Sequence, residues 1–163
     1  MIFSRRTALL ALAVCPLMFG QSDTHASHPN FSGRWRMDKS RSDFARAVMP
    51  DAIIRIIDQH ETTLNIHTIQ TTGTSTKSAD VSYFIDGSPS TNVINNHEAA
   101  SKTFWDGPAL NVRTTLKMAN GDEQVIEDRY ELSDDGNTLT TTSHISTPKG
   151  GVVMKLVCEK EQT

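Results

Sequence analysis

From Phe31 onward, apolar residues recur at every second position in short runs, and glycine, proline, asparagine and aspartate separate the runs. A period of two marks half-buried strands rather than helices. Phe31–Met37 is the first run, and it carries Gly33-x-Trp35. Ala52–Asp58 is β-branched and apolar on both alternating faces, interrupted only by Arg55. A strand of that kind asks for cover on both sides. Leu64–Thr71 sets Leu64, Ile66 and Thr68 on one face and Asn65 and His67 on the other. Ala79–Ile85 aligns Val81, Tyr83 and Ile85, Ala99–Trp105 is a further run, and Leu110–Met118 aligns Leu110, Val112, Thr114 and Leu116. The Thr/Ser/Gly stretch 71–77 and the polar stretch 88–98 read as loops. Ser42 is placed to cap one helical turn over Phe44–Met49, which Pro50 stops.

The last strands can be registered against one another. Asp135-Gly136 is the strongest hairpin signal in the chain. It sets Leu132 opposite Leu139, Tyr130 opposite Thr141, Asp128 opposite Ser143 and Ile126 opposite Ile145. In the preceding hairpin, a two-residue turn at Asn120-Gly121 would mix apolar and polar faces. A longer loop or a bulge puts Leu116 opposite Ile126, Thr114 opposite Asp128 and Val112 opposite Tyr130, and the pattern favours it. Val152–Cys158 then turns Val152, Met154, Leu156 and Cys158 inward. The expectation is an all-β chain, an antiparallel meander of eight to ten strands with at most one short helical turn. Such a series closes on its first strand or leaves two open edges, so Phe31–Met37 is the strand on which a barrel closes.

Three motifs in order carry a resemblance. Phe31-x-Gly33-x-Trp35, then Trp105-Asp106-Gly107, then the run from Asp128 to Thr140 resemble exported bacterial proteins with a lipocalin-like β-barrel, over about Phe31 to Lys160. The resemblance implies that fold and says little about activity, because fold does not give function. It also implies an arginine from near the last strand lying against Trp35, for which Arg129 is the nearest candidate.

The N-terminus reads as an export signal rather than as fold. Met1–Arg6 is basic, Thr7–Gly20 is apolar and uncharged, and Gln21–Ala26 is polar and ends in Ala26. That layout sets 1–26 as a signal peptide and 27–163 as a single domain, periplasmic or secreted. Ser4-Arg5-Arg6-Thr7-Ala8-Leu9-Leu10 fits the twin-arginine signal, and a general secretory signal fits as well. The apolar run is short for a membrane span, and none follows it. Loss of Arg5, Arg6 and Asp23 moves the net charge of −3 one unit further negative. That balance argues against nucleic acid as a partner. Loss of Cys15 leaves Cys158 alone, so the fold must hold without an internal disulfide.

The registers give one interior row of Thr114, Asp128, Ser143 and Met154, and beside it Val112, Tyr130, Thr141 and Leu156. An acid among hydroxyls inside an apolar barrel needs partners. Either the hydroxyls simply satisfy Asp128, or Val112, Thr114, Asp128, Tyr130, Thr141, Ser143 and Met154 orient a small, largely apolar ligand. No histidine pair has metal-ligand spacing, and no nucleophile motif or phosphate loop is present, so no metal, cofactor or catalytic residue is assigned. Two alternatives to ligand binding stand beside it. One is an interaction module with a filled barrel, acting through its surface or as a homodimer through Ile53–Ile57. The other is a barrel enzyme using Asp128 with Tyr130 as proton donor.

Overall fold

The computed structural model describes residues 28–162. The signal-peptide reading lies outside them. Ten antiparallel strands form one sheet: β1 (Gly33–Met37), β2 (Ala52–His60), β3 (Thr63–Thr72), β4 (Ser75–Phe84), β5 (Ser90–Ile94), β6 (His97–Asp106), β7 (Ala109–Lys117), β8 (Glu123–Leu132), β9 (Thr138–Thr147) and β10 (Gly150–Lys160). Their order is β4-β3-β2-β1-β10-β9-β8-β7-β6-β5. Every neighbouring pair is a sequence hairpin except β1–β10, where the first strand meets the last and closes the meander, as the pattern led us to expect.

The sheet is closed by backbone pairing everywhere but between β4 and β5, and side chains bridge that seam. Asn92 accepts from the Ser82 amide at 2.8 Å and donates to the Ser82 carbonyl at 3.0 Å. Thr103 Oγ1 donates to the Phe84 carbonyl at 2.6 Å, and Trp105 Nε1 donates to the Ile85 carbonyl at 2.9 Å. These bonds satisfy strand-edge groups that would otherwise face solvent or another chain.

One end of the barrel is packed solid. Phe31 and Trp35 are 0% exposed, and Leu64, Tyr83, Leu110, Tyr130 and Leu139 pack with them. The segment before β1 plugs this end. Trp35 Nε1 donates to the Phe31 carbonyl at 2.9 Å, and Gln59 Oε1 accepts from the Phe31 amide at 2.9 Å. The basic partner of Trp35 is Lys160, whose Nζ stands 5.2 Å from the ring centroid, and not Arg129. Arg129 points outward and bonds Asp106 and Glu131 instead. The Lys160 side chain passes over Gly33, where a Cβ would stand 2.7 Å from Cε. Gly33-x-Trp35 thus joins a glycine at φ +145 to the tryptophan that Lys160 covers.

Several expectations need correction. Residues 44–49 form a turn closed by Ala47 N on the Phe44 carbonyl, among no helix in the described residues. Ser42 caps nothing; its hydroxyl accepts from the Val157 amide at 3.0 Å and donates to the Asp38 carbonyl. The 38–51 connection is a strap, tied to β10 by the Asp43–Lys155 backbone pair and to β3 by Asp51 N on the Thr71 carbonyl. Ser90–Ile94 and Ser75–Lys77 are strand where loops were expected. The β7–β8 pairing is shifted two residues from the expected one, with Leu116 opposite Gln124, Thr114 opposite Ile126 and Val112 opposite Asp128. Gly121 decides this: at φ +86 it takes the left-handed position of a three-residue loop closed by Met118 and Asp122. Strand β2 lies between β1 and β3, so a homodimer through Ile53–Ile57 has no open edge to use.

Candidate ligand-binding site

The inward rows follow from the registers. Thr103, Val112, Asp128, Ser143 and Met154 form one row across β6 to β10, and Trp105, Leu110, Tyr130, Thr141 and Leu156 form the next. The β8–β9 register is the one the Asp135-Gly136 turn specified. Six of the seven expected site residues therefore lie in these two adjacent rows. Thr114 sits in the row beyond, opposite Ile126, where it shares a 2.8 Å hydrogen bond with Ser101.

Burial falls along the inward face of β8, β9 and β10 but not of β6 and β7, where Ala99, Ser101, Thr114 and Leu116 stay buried. Tyr130, Thr141 and Leu156 are buried, Asp128, Ser143 and Met154 are half-buried, and so are Ile126, Ile145 and Val152 beyond them. Thr147 and Gly150 are exposed. Thr68 and Ala79 mark the same trend on β3 and β4. Along β3, β4 and β8–β10 the end of the barrel away from the Phe31 and Trp35 plug is thus the less buried one.

The residue that sequence reasoning missed is Arg55. It sits opposite Trp35 and Thr68, so it shares the inward face of Ile53 and Ile57. Strict alternation from Ile53 and Ile57 would have found it; the apolar residues on the opposite face of the strand masked the signal. Its Nη1 donates across the lumen to Thr141 Oγ1 at 2.9 Å, and its guanidinium carbon lies 5.9 Å from the Tyr130 ring centroid. Its Nε is buried with no acceptor. Such a donor is costly unless something else satisfies it.

Asp128 accepts from the Ser143 hydroxyl. Burial pushes its carboxyl above the usual range, and the Ser143 hydrogen bond and the positive charge of Arg55 oppose that. Burial also pushes Tyr83 up to about 12, with the Asp128 charge adding to it. Tyr130 is raised for the same two reasons. Both phenols are thus held protonated, and among the described residues no histidine stands beside Asp128. The histidines lie elsewhere: His67 is on the outer face beside Asp80 at 2.6 Å, and His144 points outward. A groove on the outer face is lined by Phe104, Asn111, Arg113, Glu127, Arg129 and His144, but Arg113 and Arg129 are paired there with carboxylates.

No protein-family model matches the chain, and no curated protein does. Solved structures do. A secretory abundant heat soluble protein from Ramazzottius varieornatus aligns with a TM-score of 0.58 at 17% identity, over 80% of this chain and 94% of that one. Lipid binding protein 8 from Caenorhabditis elegans aligns at 0.57 and 12% identity, over 80% and 95%. Zebrafish ileal bile acid-binding protein, complexed with cholic acid, aligns at 0.52 and 16% identity, over 80% and 98%. The likeness is one of fold. This chain shares the antiparallel β-barrel with those proteins, and at these identities no residue role passes from them.

Proposed function

We propose that this protein is an exported carrier or receptor for a small, largely apolar molecule held in the barrel lumen, in the periplasm or outside the cell. The observation that carries the reading is Arg55: a guanidinium inside an apolar barrel whose buried Nε has no acceptor. Pockets that bind small molecules are mostly apolar, with a few polar groups that fix orientation, and Arg55, Asp128, Thr141 and Ser143 have that character. The leader layout of residues 1–26 supports export. The bile acid in the zebrafish neighbour, and the name of the nematode one, support a lipophilic ligand.

Native mass spectrometry of protein isolated from the cells that make it tests this. The expected result is a stoichiometric adduct of one small molecule, lost from the Arg55→Met variant. Ligand-free protein that also takes up no lipophilic compound from a cell extract would overturn the reading.

A filled barrel acting through its surface is the second reading, and the Arg55–Thr141 bond across the lumen favours it. It expects Arg55→Met to change stability alone.

A further inference from the structure

The two polar groups of the lumen have opposite hydrogen-bonding character. Arg55 offers donors only, and Asp128 as a carboxylate offers acceptors only. Each is bonded to β9 rather than to the other: Arg55 to Thr141, and Asp128 to Ser143. No ion pair joins them among the described residues. Thr141 and Ser143 stand two residues apart on one face of an extended strand, a spacing of roughly 6.5–7 Å.

We infer that the ligand's polar end is an uncharged group that donates and accepts at once, a hydroxyl above all, seated between Arg55 and Asp128. This rests on the lumen-binding reading above. A hydroxyl takes a hydrogen bond from Arg55, whose Nε lacks an acceptor, and gives one to Asp128. A ligand carboxylate would satisfy Arg55 equally well but would set its charge against Asp128. An ether would accept from Arg55 and leave Asp128 unmet. The class implied is therefore a long-chain or polycyclic alcohol rather than a fatty acid.

The test is an amide NMR titration of the full chain at pH 8 with decanol, decanoate and decyl methyl ether, which share one tail. Decanol is expected to bind at least about tenfold more tightly than either of the others, the cost of one unmet hydrogen bond or one close like charge. Asp128→Asn should raise decanoate affinity and so narrow the alcohol-to-acid ratio by a similar factor. Decanoate or the ether matching decanol on the wild-type chain overturns the inference while leaving the lumen-binding reading standing, and so does an unchanged ratio in the variant. Absence of any shift at lumen amides with all three probes overturns both. The ether comparison needs no variant, so a misfolded Asp128→Asn would not remove the test.

Discussion

Lys160 lies across Gly33 to reach Trp35, and a methyl group at position 33 would stand 2.7 Å from its Cε. Gly33 also holds φ at +145, where an L side chain is strained whatever the space around it. Gly33→Ala is therefore expected to cost about 1–3 kcal/mol in urea unfolding. Lys160→Ala in the same chain should recover only a small part of that, because a flexible side chain can move aside and the backbone cannot. Full recovery would mean that the contact, not the dihedral angle, sets the cost.

At the seam, Asn92 replaces a rung of ladder with its amide. Asn92→Ala should cost about 1 kcal/mol and speed hydrogen exchange at the Ser82 amide. The Thr103 and Trp105 bonds to Phe84 and Ile85 should keep the rest of β4 in place. Asn92→Asp retains the acceptor and loses the donor, so it should fall between the two. Unchanged exchange at Ser82 in Asn92→Ala would rule out the latch.

Asp128 carries a pH signature. Its pKa is raised in the fold, so the native state holds its proton more tightly than the unfolded chain does. Its favourable contribution is complete below the unfolded value of 3.8 and fades as pH rises through the folded value. Asp128→Asn keeps a Ser143 acceptor and removes the charge. It should melt at a higher temperature than wild type at neutral pH, with the gap closing toward pH 4. Equal melting temperatures at neutral pH would show that Arg55 fully compensates the carboxylate.

Cys158 is 1% exposed, and burial lifts its thiol to about 11. A protonated, enclosed thiol is unreactive. Labelling by a disulfide reagent at neutral pH should proceed only at the rate of global unfolding, and should become immediate in denaturant. Fast labelling of native protein would require local opening of β10.

The β8–β9 hairpin was legible because turn and pattern agreed: Asp135-Gly136 and the alternating Leu132, Tyr130 and Asp128 specify one register. The β7–β8 hairpin was half legible. Pattern gave the correct faces, but two registers that differ by two residues bury the same faces, and only the left-handed conformation of Gly121 chooses between them. Strand β5 escaped notice because its face toward β4 is met by the Asn92 side chain rather than by a ladder, so it carries little of the apolar signal of a core strand. Arg55 escaped for another reason. A charge in a strand apolar on both faces reads as an interruption, whereas its head is held inside the barrel by Thr141. The polar hydroxyls around Asp128 were found because they share its rows; Arg55 comes from the far wall, and distance across a barrel leaves no mark on local pattern.

The sheet order has a consequence for where the chain could begin. The first and last strands, β1 and β10, lie side by side, with the Glu161 amide donating to the Arg34 carbonyl at 2.8 Å, while β4 and β5 share no ladder. A circular permutant that joins the ends by a short linker and opens at Gly87 would run β5 through β10 and then β1 through β4, each strand pairing only with its predecessor and successor. Its last long-range pairing would become a hairpin. By the dependence of folding rate on contact order it should fold faster than the natural arrangement while keeping the same rungs.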